Sequence, residues 1–410
     1  MHLFSLFFSS ICLQIRRAEF TNYIGNKNKS NISLGLIICG LLYSTGAYSN
    51  QHTQTVESQL TEMKIADHNE AAWRAFNIST VENYIIPAYA TLAESNSQLH
   101  ATTQAFCQSL KPSSEAQVEL NLKSAKDAFH QSMDAWQYIQ NVNFGPIEIA
   151  MRSHSIQFWP DKKNHIGKQL LKLISDNDPS ALMANAFENA SVSVKGLPAI
   201  ERLLFNDELF GAFENKTFSC DVLVGISRYL MNTSTSLHDE WKFTMLPQFK
   251  DAKQLDGYFE DDIDAATSLL KTLVEPIEVI RDLKLQRPLG SQFEKVKFKR
   301  FESWRSERSL KNIKLNIQSL ETLFIGTPAK NKGLQLLLSD NEYQAIKENF
   351  NKVLNNIEQI ESPLKISVLT PSGYQSAEAL VASLTVLHVN LETAITHNGI
   401  RLGFNSRDGD

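Results

Sequence analysis

Val118, Leu122, Ala125, Phe129, Met133, Trp136 and Ile139 fall at unbroken three- and four-residue steps. Only a helix gathers residues at that spacing onto one face, so this stretch can bury a stripe against a neighbour only as a helix. The same arithmetic repeats along the chain. Trp73, Phe76, Val81, Tyr84, Ala88 and Leu92 form one stripe, with Pro87 expected to kink or break it. Further stripes run through Leu223–Trp241, Leu269–Ile280, Leu310–Phe324, Tyr343–Ile360 and Leu380–Ile395. No alternating run of the kind a half-buried strand needs stands out. With only 17 Gly and 12 Pro in 410 residues, breakers are scarce, which argues against turn-rich β architectures. The expected fold is all-α.

Two stretches interrupt the pattern. Residues 141–205 hold short apolar pieces separated by Gly145, Pro146, Pro160, Pro179, Gly196 and Pro198, and residues 285–306 carry Arg287–Gly290 followed by a basic run. Long helices on either side suggest two helical-bundle halves, residues 50–215 and 216–410, though self-similarity between them is too weak to prove a duplication. Loops held on a rigid bundle are where function concentrates, so these stretches are the places to look.

The first 49 residues read as a leader. Lys27 and Lys29 precede the apolar run Leu34–Leu42, and small residues follow up to Ala47-Tyr48-Ser49, the order of a secretory signal with cleavage near Ser49. Nine apolar residues are too few to span about 30 Å of hydrocarbon, so no permanent membrane span is expected in the mature chain. Residues 1–26 have no clear place in this scheme. Export would leave two cysteines, Cys107 and Cys220, in an oxidising compartment, where pairing is favoured over two separate buried thiols. The 40 Lys+Arg against 45 Asp+Glu give a net charge of −5 with no basic excess, so nucleic acid is not an expected partner.

Candidate chemistry sits in the irregular stretches. Gly196 to Phe205 reads as a helix start with Pro198 in its first turn and Glu201 one turn in, able to ligate a metal or to cap the helix. Glu148 and Arg152, a polar pair beside the aromatic loop Phe158-Trp159-Pro160-Asp161, read equally as a pocket wall or as a structural salt bridge. In the C-terminal segment from Gly403, Asn405 and Asp408 are candidates, with Asp408 and Asp410 the oxygen ligands a hard cation prefers; the plainer reading is a solvated acidic tail. The common hydrolase, P-loop and dinucleotide signatures are missing.

Together these pieces resemble the imelysin family of bacterial envelope proteins. The matching residues are Asn143–Pro146, Phe158–Asp161, Gly196–Phe205, Arg287–Gly290, the run from Glu302 through Trp304, Arg305 and Arg308 to Ile313, and the closing Gly403, Asn405 and Asp408–Asp410. The resemblance covers about residue 70 to the end. It implies two four-helix-bundle-like halves, an envelope location and a link to iron uptake and its machinery. The family name reflects a proposed peptidase activity tied to a G-x-H-x-x-E motif. Here Gly196 and Glu201 stand in that motif, but Pro198 replaces the histidine, so the His/Glu pair cannot form. Zinc hydrolysis ordinarily needs three protein ligands and an open position.

Three functions follow as expectations. The first is a non-enzymatic periplasmic binding or accessory role in iron acquisition, with iron or another divalent cation as candidate cofactor and Glu201 and Asp408 as candidate ligands. The second is a metallopeptidase that recruits His154, His165 or His388 as the missing ligand. The third is a binder of an anionic ligand or envelope polymer, using Arg152, Arg287, Arg305 and Arg308 as donors. If one site serves them, Arg152, Trp159, Asp161, Glu201, Arg287, Arg308, Asn405 and Asp408 should converge.

Overall fold

The computed structural model describes residues 70–110, 113–205, 216–327 and 333–403. The leader and the tail candidates Asn405 and Asp408 lie outside them. Every regular element among the described residues is helical, as the stripes require. The long helices are α1 (Ile86–Ser109), α2 (Glu115–Ile139), α5 (Lys216–Glu240), α6 (Asp262–Glu278), α7 (Ser309–Ile325), α8 (Asp340–Glu358) and α9 (Pro371–His397). Two shorter helices, α3 (His165–Asp176) and α4 (Gly196–Phe205), lie in the first irregular stretch. Side chains close several helix starts: Ser114 accepts from the Gln117 N–H, and Asp261 accepts from Ile263 and Asp264. Ser339 and Glu342 form a reciprocal capping box.

The helices pack as two rings of four. In one, α1 lies between α2 and α5, and α4 closes the ring by touching both. In the other, α6, α7, α8 and α9 each touch two neighbours. Contacts between α2 and α7 join the rings. The sequence assigned Lys216–Glu240 to the second half; packing places it in the first, so the division falls beyond it rather than at residue 215. An apolar stripe says that a helix is buried but not against which partner. A disulfide between Cys107 on α1 and Cys220 on α5, with Cα atoms 5.5 Å apart, ties this helix to the first ring. By length and composition α9 could cross a membrane, yet it packs against α6 and α8 with Leu380, Leu384, Leu387 and Leu391 buried.

Pro87 does not break its helix. Residues 70–80 continue into α1 through a π turn, Val81–Ile85, and Pro87 follows it. The same arrangement recurs at Trp241–Met245 before Pro247 and at Val279–Gln286 before Pro288. A proline ring collides with the carbonyl four residues back and offers it no N–H. In all three cases that carbonyl lies in the π turn, whose wider loop gives it room. The third turn matters most, because it delivers Leu283, Lys284 and Arg287 to the irregular stretches.

Candidate functional site

The segment 155–166 and the start of α4 are held together by one close backbone approach. Gly196 has φ +81°, and a Cβ there would lie 2.4 Å from the Ile156 carbonyl oxygen. Only glycine fits such a position. Beyond it Pro198 occupies the first turn of α4, and Glu201 follows. The Trp159–Pro160 bond is cis. Asp161 turns back onto α3, where its two carboxylate oxygens accept from the N–H groups of His165 (2.7 Å) and Ile166 (3.0 Å). These would otherwise be orphan donors of the first helical turn.

This packing leaves a cavity of about 610 Å³, within the usual range for small-molecule sites. Phe158, Trp159, Asp161, Pro198, Glu201 and Arg287 line it, so three of the separated sequence motifs do converge. Residues 299–301 and 303–305, with Trp304 and Arg305, also line it. Seven lining side chains are Lys or Arg and two are acidic.

Both acids are already committed. Glu201 is 4% exposed, and its Oε1 accepts from the backbone N–H (2.9 Å) and hydroxyl (2.7 Å) of Ser306. Burial pushes its carboxyl above the ordinary range, the Ser306 bonds and the nearby arginines offsetting part of that. The guanidinium of Arg202 lies 3.7 Å from Asp161 with 11% of its side chain exposed. Burial, then the positive charge of Arg305, holds its pKa down to about 10. The Arg305 guanidinium lies over the Trp304 ring, 4.4 Å from its centre, and burial lowers its pKa too.

A second polar centre lies behind this cavity. Lys284 (3% exposed) and Glu302 (2%) form an ion pair of 2.9 Å in the interior. The ammonium also donates to Gln137 (2.9 Å) and Asn316 (2.7 Å), using its three hydrogens. Glu302 accepts from Gln157 and Asn312 at 2.9 Å each. Burial depresses the Lys284 pKa, and Glu302 counters it. The network joins α2, α7, the third π turn and both irregular stretches. Lys284, Glu302 and His154 also line a 400 Å³ pocket that shares Trp159, Pro160 and Leu283 with the main cavity.

Other expected residues lie elsewhere. Arg152 donates to the Pro146 carbonyl (3.1 Å) and to Glu240 (2.7 Å), and it lines a separate pocket with Arg228 and Tyr229. It clamps the loop to α5 through Glu240, whereas Glu148, the partner expected from the sequence, accepts from the Gly145 N–H. Arg308, at the start of α7, is buried against α2 and bonded to Asp134, to His130 Nδ1 (3.0 Å) and to Asn312 (3.2 Å). Neither lines the main cavity. His388 faces Glu278 at 3.7 Å, and no group of three or more His, Cys, Asp or Glu side chains suited to a metal exists among the described residues.

Arg202 and the Lys284–Glu302 pair were not anticipated. Lys284 did leave a signal, because it continues the stripe Leu269, Leu273, Ile277, Ile280 at a four-residue step. A lysine in that register is buried, and a buried lysine needs a partner.

Residues 85–391 match the Imelysin family. The chain belongs to the imelysin family. It is 25% identical over 241 residues to iron-regulated protein A of Synechococcus elongatus, a match covering 58% of this chain and 60% of that relative. Among solved structures, an imelysin-like protein from Psychrobacter arcticum superposes with a TM-score of 0.62 at 18% identity, over 82% of this chain and 98% of the other. A protein from Parabacteroides distasonis described as an iron-regulated protein A precursor gives 0.63 at 15% identity, over 78% and 95%. At such identities the structures share the imelysin fold, and the fold alone does not carry a function.

The family motif also poses a chemical question. A resident divalent cation would need several free oxygen or nitrogen donors. Among the described residues the cavity offers one glutamate held by Ser306, one aspartate capping α3, a proline at the motif histidine, and an excess of cations. This donor set does not fit a resident metal.

Proposed function

We propose that this imelysin-family chain is an exported, periplasmic protein of iron acquisition that binds rather than hydrolyses, with the cavity between Trp159, Glu201 and Trp304 as its ligand site. The carrying observation is the convergence there of Phe158–Asp161, Pro198–Glu201 and Arg287, three segments far apart in sequence. Binding gives them a common reason to meet. The iron link comes from relatives described as iron-regulated protein A, and the description of one as a precursor accords with the leader-like order of residues 27–49. Pro198 argues against hydrolysis, because it removes the imidazole from the motif and no histidine lines the cavity among the described residues.

In iron-poor medium, a strain lacking this protein should grow poorly and be rescued by the wild-type chain, but not by a variant with Arg202→Gln and Arg305→Gln. The mature chain in the periplasmic fraction should begin near Asn50. Full growth without the protein, or peptide cleavage that a chelator abolishes, would count against this function.

A further inference from the structure

We propose that the cavity takes a small polycarboxylate, free or chelating ferric iron, clamped between the guanidinium groups of Arg202 and Arg305. This rests on the reading of the cavity as the ligand site and adds the chemical class of the ligand.

The argument is one of unmatched charge. The chain as a whole carries −5, yet the cavity lining carries seven basic groups against two acidic ones. That local reversal concentrates a positive field in a concave site, which attracts anions. Of the two acids, Glu201 is turned toward Ser306, and Asp161 spends both oxygens on α3. Arg202 and Arg305 therefore sit partly out of water and near one another, Arg202 held only by its long 3.7 Å ion pair to Asp161 and Arg305 only by the Trp304 ring, with no hydrogen bond from either guanidinium to the described residues. Two half-buried like charges this weakly compensated gain from an anion placed between them.

Carboxylates suit this frame better than phosphate. A guanidinium pairs with a carboxylate through two parallel N–H bonds, and Arg305 is held over the Trp304 ring at 4.4 Å. Phosphate is commonly cradled by N–H groups at a helix start. Here two first-turn N–H groups of α3, those of His165 and Ile166, are already bound by Asp161. Iron would enter as an anionic chelate, because a bare cation meets the same repelling field.

The full chain should be titrated with sodium citrate, ferric citrate, inorganic phosphate and divalent iron or zinc salts, read by calorimetry and thermal melting. Citrate should bind and raise the melting temperature, and its affinity should fall as salt rises. Affinity should drop about tenfold or more in Arg202→Gln and in Arg305→Gln, each removing charged hydrogen bonds. If Arg202→Gln does not fold, the exposed Arg287→Gln should still weaken citrate. Citrate binding that is unchanged in these variants, phosphate binding without citrate binding, or tight binding of the bare metal salts overturns the proposal. The two readings separate cleanly. Binding of citrate but not ferric citrate supports the anion site and removes the iron role, whereas iron-dependent growth rescue without any citrate binding does the reverse.

Discussion

At the scale of single residues, the site depends on positions that tolerate little change. Gly196→Ala forces a Cβ against the Ile156 carbonyl at a φ that L residues avoid, and should cost more than about 2 kcal/mol in denaturant unfolding. Lys284→Met should cost about 3–5 kcal/mol by leaving Glu302 buried and unpaired, and adding Glu302→Gln should recover part of the loss. Recovery is what separates a charge effect from a packing effect. His130 supplies a pH test. Burial, then Arg308 beside it, holds its pKa down to about 4, against 6.5 for a free imidazole. Between those values the unfolded chain binds a proton that the folded chain does not, so stability falls as pH drops from about 6.5 towards 4. His130→Gln should flatten that part of the profile in urea melts at fixed ionic strength.

At the scale of elements, the stripes named the helices because burial of one face imposes a period of 3.6, and each element needs only its own residues to declare it. Partner choice needs more than one element. That is why Lys216–Glu240 was legible as a helix but not as a member of the first ring. The Cys107–Cys220 bond closes a sequence separation of 113 residues across α1 and α5. Reducing it should lower stability by about 2–5 kcal/mol, measured by unfolding with and without reductant. The π turns were likewise invisible, since a proline two residues past a turn reads as a simple break until tertiary packing shows the helix continuing. The third of them places Lys284 in the network and Arg287 at the cavity.

At the scale of the whole molecule, the candidate site was legible where polar and breaker residues interrupted the apolar stripes. Phe158–Asp161, Gly196–Glu201 and Arg287 fall together, while Arg152 and Arg308 serve as clamps inside the fold. Charge on a residue marks it as costly to bury, but an arginine that holds two helices and one that awaits a ligand read alike in a sequence. What separates them is the partner: Arg308 and Arg152 are closed by short bonds to carboxylates, whereas Arg202 has only a 3.7 Å ion pair to Asp161 and Arg305 the face of Trp304. Other hollows exist, including an open groove of about 840 Å³ along α1, α2 and α7. Its lining includes Glu94 and Asp134 and no Lys or Arg, so it should not hold an anion. The most direct measurement is a crystal structure of the chain grown with citrate. The account requires the ligand between Arg202 and Arg305 in the cavity bounded by Trp159 and Trp304, with Glu201 still bonded to Ser306. Density for citrate in the α1–α2–α7 groove or beside Arg152, with that cavity filled only by water, would contradict it.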